Sequence, residues 1–150
     1  MTRTKVNDTP LTLILPSDLR LLSVARTFIE SVCHAGQLDA DSAEAIVMAV
    51  HEAISNVIRH AHRDQPDARV QIECYLAAER VEIHVLDEGE PFDLGAVPEL
   101  RPSELRIGGR GVFLMRTLMD ELTCARRPER GNILRMVKLC GQNTRLFDCG

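Results

Sequence analysis

Apolar and polar positions alternate along this chain in two rhythms, and the switches between them predict its elements. Leu11 to Leu15 is a short apolar run ended by Pro16, which reads as a strand. The spacing then widens to that of a helix at Leu19, Leu22, Ala25, Phe28, Ile29 and Val32. Ser17 is the expected N-cap, Arg20 stands where a capping box would carry Glu, and Gly36 closes the helix. A second helix opens at Asp39 or Asp41. Its stripe is Ile46, Val50, Ala53 or Ile54, Val57 and Ala61, and it ends near Arg63, before the turn residues Asp64-Gln65-Pro66-Asp67. Alternation returns at Val70, Ile72, Cys74 and Leu76, and again at Val81, Ile83 and Val85, predicting two strands with a tight turn at Ala78-Glu79. Val112 to Leu122 is expected to be a short helix with Phe113, Leu114, Leu118 and Met119 inward. Leu122 to Arg126 and Ile133 to Leu139 form a last strand pair, turned at Pro128 to Gly131, before a polar tail from Gly141.

Strands with one polar and one apolar face, together with amphipathic helices, predict an α+β two-layer α/β sandwich. Its helices should cover one face of a mixed, mainly antiparallel sheet. The 150 residues favour a single domain, with its core over about 11–138. With no Trp and one Tyr, that core must be aliphatic. The net charge of -4 argues against a nucleic-acid partner. No apolar run reaches the roughly 18 residues of a membrane span, and Met1 to Pro10 lacks an apolar signal region, so a cytoplasmic location is expected. The five cysteines are odd in number and form no CxxC pair; Cys74 and Cys124 read as buried, reduced thiols in strands.

From Asp87 to Arg110 the rhythm disappears. This stretch holds Pro91, Pro98 and Pro102 with Gly89, Gly95, Gly108 and Gly109, and a segment of this length without an element is usually a lid or binding loop. Three signals surround it. Glu52 and Asn56 are four apart on one helix face, with His60 one turn on and Arg59 beside it. A carboxylate and a carboxamide oxygen so placed can hold a hydrated Mg²⁺, and the carboxylate can accept a proton from an attacking hydroxyl. Asp87-Glu88-Gly89 ends a strand, where Asp87 could accept from an exocyclic amine, Gly89 admit a close approach and Pro91 stiffen the rim. Gly108-Gly109-Arg110-Gly111 precedes a helix, which suits a polyphosphate, with Arg110 adding charge. Taken singly, these are also a solvated helix face, a plain turn and a hinge. His60 and His62 diverge on a helix, so zinc is not expected. Arg126, Arg127, Glu129 and Arg130 read most simply as a solvated turn.

The order and spacing of the three signals resemble the GHKL (Bergerat-fold) ATPase superfamily. The 51–61 stretch is similar to its N box, 87–93 to its G1 box and 108–121 to its G2 box. Within the superfamily, the Pro91-Phe92-Asp93 and Leu118-Met119-Asp120-Glu121 runs resemble the RsbW/SpoIIAB-type anti-sigma factor serine/threonine kinases, and the resemblance covers Leu11 to Lys138. It departs from the superfamily at Pro91, where a second Gly is frequent, and at Phe113, where the Gly-x-Gly series often continues.

The resemblance implies ATP and Mg²⁺ as cofactors. Glu52 would be the catalytic base and Asn56 the metal ligand. Asp87 would read the adenine amine, with Gly89 beside it, and Arg59, His60, Pro91 and Phe92 would belong to the nucleotide site. Gly109 and Gly111 would cradle the phosphates, Gly108, Arg110, Val112 and Phe113 would belong to the nucleotide site with them, and 93–108 would be the lid. It further implies a STAS-domain anti-anti-sigma factor as substrate, a sigma factor as a second partner, and a homodimer without nucleic acid or membrane. The alternatives are a non-catalytic nucleotide-sensing module that switches a protein partner, and a histidine-kinase catalytic domain, expected less because no dimerisation helix pair precedes the domain.

Overall fold

In the computed structural model, residues 9–63, 65, 67–96 and 110–140 are described. Five strands form one sheet in the order β1-β2-β3-β5-β4, with β1 Leu11–Pro16, β2 Arg69–Leu76, β3 Arg80–Leu86, β4 Glu121–Arg126 and β5 Asn132–Leu139. All four pairings are antiparallel, so the mixed character expected from sequence is absent among the described residues. The helices α1 Leu22–Ala35, α2 Ala40–Asn56 and α3 Arg110–Leu118 complete the α+β sandwich.

Register explains the two faces. Ile72 lies opposite Val85, Cys74 opposite Ile83, and Ile83 opposite Met136, so these side chains share the face under the helices. Ala25, Ile29, Val32 and Cys33 of α1 and Ile46, Val50, Ala53 and Ile54 of α2 pack into the same cluster. Ile29, Ile46, Ile54, Ile72 and Ile83 are almost inaccessible to water, and burying each contributes roughly 1.5–3 kcal/mol. The outer face is polar. There Glu82 receives Arg80 at 2.7 Å, His84 at 3.0 Å and Arg135, which also reaches Glu121 at 2.9 Å. Burial pushes the Glu82 carboxyl up, but hydrogen bonds from Arg135 and His84 outweigh it and hold its pKa below the usual range. Burial raises the Cys33 thiol to about 11 and Cys74 to about 12, and both are free, so neither is a reactive thiolate.

Two local expectations change, at the first cap and on α3. The cap expected at Ser17 falls on Asp18, whose carboxylate accepts from Arg20 N at 2.9 Å and opens a short 3-10 turn, Leu19–Leu21, before α1. Arg20 clasps the same carboxylate through its guanidinium, which explains a cation where a capping box would place Glu. In α3 the buried face is Val112 and Met115, continued by Met119 just beyond it, whereas Phe113, Leu114 and Leu118 are only half-buried. Asp39 is the N-cap of α2, accepting from Ser42 N at 3.0 Å. This helix does not stop at Asn56: Val57–Ala61 continues it as one π-helical turn, closed by His62 N donating to Val57 O at 2.8 Å.

Candidate active site

α2, the π-helical turn, the end of β3, α3 and the β4–β5 hairpin meet around a cleft of about 370 Å³. Its lining is mainly apolar, from Ala53, Val57, Val112, Met115, Cys124 and Leu134, with Asn56, His60, Asp87, Glu90 and Asn132 as its polar members and Pro91 and Phe92 at the rim. An apolar slot with a few fixed polar groups is the usual form of a small-molecule site.

The end of the cleft beside β3 is built on Asp87, which is 5% exposed. Its Oδ1 accepts from Gly89 N at 2.8 Å, Asn132 Nδ2 at 3.0 Å and Asn132 N at 3.1 Å, while Oδ2 has one long approach, from Asn132 Nδ2 at 3.3 Å. Two glycines permit this. A Cβ on Gly89 would lie 2.4 Å from Ala61 O, so the loop can rest on the π-helical turn only without a side chain. Gly131 has φ +97°, and a Cβ there would lie 1.8 Å from Asp87 O. Arg127 Nη1 donates to Asp87 O at 2.9 Å and Arg126 Nη1 to Gly89 O at 3.4 Å. The arginine pair expected to be a solvated turn therefore holds the carbonyls of this loop. His62 is 3% exposed: Nδ1 lies 2.9 Å from Ser17 Oγ, and Nε2 accepts from Glu88 N at 2.9 Å. Accepting at Nε2 requires the proton on Nδ1. Burial pulls the His62 pKa down, against the pull of Asp87 and Glu88 upward.

At the other end, Glu52 and Asn56 are half-buried on one face of α2. The first turn of α3 presses against them: a Cβ on Gly111 would lie 2.9 Å from Asn56 Nδ2 and 3.0 Å from Glu52 Oε2. A helix N-terminus, with its unsatisfied N–H groups, thus faces a carboxylate and a carboxamide at one point. ATP fits these residues: the slot has room for a flat base, Asp87 Oδ2 has an acceptor position that an amine would satisfy, and Gly111 carries no side chain where phosphates would lie.

Asn56, His60, Asp87, Pro91, Phe92 and Val112 line the cleft, and Glu52, Gly89 and Gly111 border it. Arg59 and Arg110 are exposed and Phe113 is half-buried, all three outside the lining. Gly108, Gly109 and most of the expected lid lie outside the described residues. Asn132 was not anticipated, although its signal was present. It stands in phase with Leu134 and Met136 on the inner face of β5, a polar residue at a core position. Cys124 also lines the slot, but burial, with Asp87 adding to it, raises its pKa and leaves it a poor nucleophile.

A family model described as a histidine kinase-like ATPase domain matches residues 15–138. The chain belongs to this family. Within it, the serine-protein kinase RsbW of Listeria innocua is 32% identical over 120 residues, covering 75% of this chain and 76% of that one. RsbW of Bacillus subtilis is 31% identical over 116 residues, covering 72% of each. This histidine kinase-like ATPase is therefore a protein serine/threonine kinase of the RsbW group, and it uses ATP. The fold is shared with the RsbU and RsbW domains of a Mycobacterium tuberculosis protein, at TM-score 0.65 and 16% identity. That likeness covers 87% of this chain but 32% of the other, so this chain spans about a third of that structure. The SiaB–SiaC complex of Pseudomonas aeruginosa gives TM-score 0.54 at 16% identity over 91% of both chains. Among the described residues, no helix is long and apolar enough to cross a membrane.

Proposed function

We propose that this kinase is an anti-sigma factor in a partner-switching system, binding a sigma factor and phosphorylating a STAS-domain anti-anti-sigma factor. One observation carries the catalytic part: Glu52 and Asn56 converge on the space that a side chain at Gly111, in the first turn of α3, would fill. Base, metal ligand and phosphate cradle then share one point, which is most of what phosphoryl transfer requires. ATP supplies the phosphoryl group, and Mg²⁺ neutralises its charge. Asn56 Oδ1 would be the protein's ligand to the metal, with water and phosphate oxygens completing its shell. Glu52 accepts the proton of the substrate Ser or Thr hydroxyl. Asp87 receives the adenine amine at Oδ2, and Pro91 and Phe92 close over the base. The partners are proposed with the RsbW relatives as support, and a cytoplasmic location is proposed with them. A homodimer is proposed through β1, whose outer edge is unpaired among the described residues and which exposes Leu11 and Ile14.

The test is transfer of label from γ-labelled ATP to STAS-domain proteins encoded nearby. Label should appear on a partner Ser or Thr and fall between about a hundredfold and ten-thousandfold in rate in Glu52→Gln, with ATP affinity kept. Asn56→Ala should lose Mg²⁺-dependent ATP binding. Tight ATP binding with no labelled partner would instead leave a nucleotide-sensing module.

A further inference from the structure

Asn132 is 2% exposed, lines the cleft and has no part in the phosphoryl transfer described above. Its amide is fully committed. Nδ2 donates to Glu90 O at 2.7 Å and to the Asp87 carboxylate at 3.0 Å and 3.3 Å, while Oδ1 accepts from Phe92 N at 3.0 Å and Arg126 Nη1 at 3.4 Å. The orientation of the amide is forced. Turned over, its oxygen would oppose the Glu90 carbonyl and the Asp87 carboxylate, and its NH₂ would oppose the Phe92 N–H and Arg126.

Two consequences follow for the base end. Asp87 is held in one orientation, with three N–H donors on Oδ1, so the valence still open to a ligand is on Oδ2. The rim at Glu90 and Phe92 is tied to the same amide, so the height of the slot and the position of its acceptor are set together. Such a pocket offers an acceptor to the atom on C6 of a purine. A 6-amino group satisfies it, whereas a 6-oxo group brings oxygen against oxygen and leaves both unpaired.

From this the geometry assigns to Asn132 the selection of the nucleobase: it is the positioning residue that, acting through Asp87, makes the cleft prefer a 6-aminopurine over a 6-oxopurine nucleotide. The assignment rests on the reading of this cleft as the ATP site.

The test compares dissociation constants of ATP and inosine triphosphate by calorimetry on the full chain. The two differ at C6 by an amine against a carbonyl. Wild type should prefer ATP by about thirtyfold or more. Asn132→Leu, close in volume but without hydrogen bonds, should lose at least about tenfold of that ratio through weaker ATP binding, with inosine triphosphate changed less than about threefold. A role confined to packing would weaken both nucleotides together and keep the ratio, which would overturn the assignment. Should Asn132→Leu fail to melt cooperatively, Asn132→Asp carries the test. Its carboxylate faces Asp87, the pair shares a proton, and the ratio becomes pH-dependent near neutrality where wild type is flat. A flat ratio in Asn132→Asp equal to that of wild type would also overturn it. Wild type that binds neither nucleotide would defeat the ATP-site reading itself. Wild type that prefers ATP while the variants keep its ratio would defeat only the role of Asn132.

Discussion

At the base end of the cleft, Asp87 and Asn132 are buried and exchange hydrogen bonds with each other, with the Glu90 and Phe92 backbone and with Arg126. At the phosphate end, Glu52 and Asn56 are half-buried, and among the described residues no hydrogen bond holds either side chain. The glycines repeat the difference. Gly89 and Gly131 are crowded by backbone, which cannot give way, while Gly111 is crowded by the tips of the Asn56 and Glu52 side chains, which can. On the proposed reading, recognition of a base needs acceptors fixed in advance, which the hydrogen bonds of Asp87 and Asn132 supply there. On the same reading, transfer of a phosphoryl group needs open valence, and among the described residues the Glu52 carboxylate and the Asn56 carboxamide on α2 are left uncommitted.

The contrast should break most visibly at Gly131. Gly131→Ala forces a side chain into positive φ and onto Asp87 O, and is expected to cost about 3 kcal/mol or more, a fall in Tm of roughly 6–12 °C. A Tm within about 2 °C of wild type would show that the base end is not rigid. Gly111→Ala should leave Tm within about 2 °C while slowing phosphotransfer about tenfold, because Glu52 and Asn56 must move aside. Thermal loss comparable with Gly131→Ala would erase the distinction between the two ends.

The smallest effect expected is at His62. Its pKa is held down by burial, so the folded chain keeps it neutral while the unfolded chain takes up a proton near the ordinary value of about 6.5. The contribution to stability is therefore present above about pH 6.5 and is lost as pH falls through the lower folded value. Urea midpoints at about pH 7.5 and pH 5.5 should converge between wild type and His62→Asn as the solution becomes acidic, from a gap of about 1 kcal/mol. An equal gap at both pH values would show that His62 is not neutral in the fold.

The same contrast decides what could be read from sequence. The elements were legible because each repeats a local rhythm, and Glu52, Asn56 and Gly111 lie where helix geometry alone puts functional groups on one face or at one end. The base end is made by residues far apart in the chain: Asn132 reaches Asp87 across 45 positions, and His62 joins Ser17 to Glu88. No local pattern encodes those encounters. The arginines of the β4–β5 hairpin read as solvated for the same reason, since only the tertiary fold brings them to carbonyls of the 87–89 loop. The inward face of α3 was read correctly at Met119, but Val112 and Met115 share its helical phase, whereas Phe113, Leu114 and Leu118 fall to the sides of that face and are only half-buried. Ser17 lost its cap to Asp18, one residue away, because its hydroxyl lies beside His62.

The π-helical turn at Val57–Ala61 makes chain length, rather than composition, the sensitive variable there. One residue more or fewer in an α-helix rotates everything beyond it by about 100°. Here the widened turn lets His60 and Ala61 face the cleft and brings Ala61 beneath Gly89 without disturbing the phase of Glu52 and Asn56. Substitutions at the exposed Arg59, outside the cleft lining, should be absorbed, but a single deletion should uncouple the two ends of the cleft. The helix would stay intact while the floor of the base slot turned away from it.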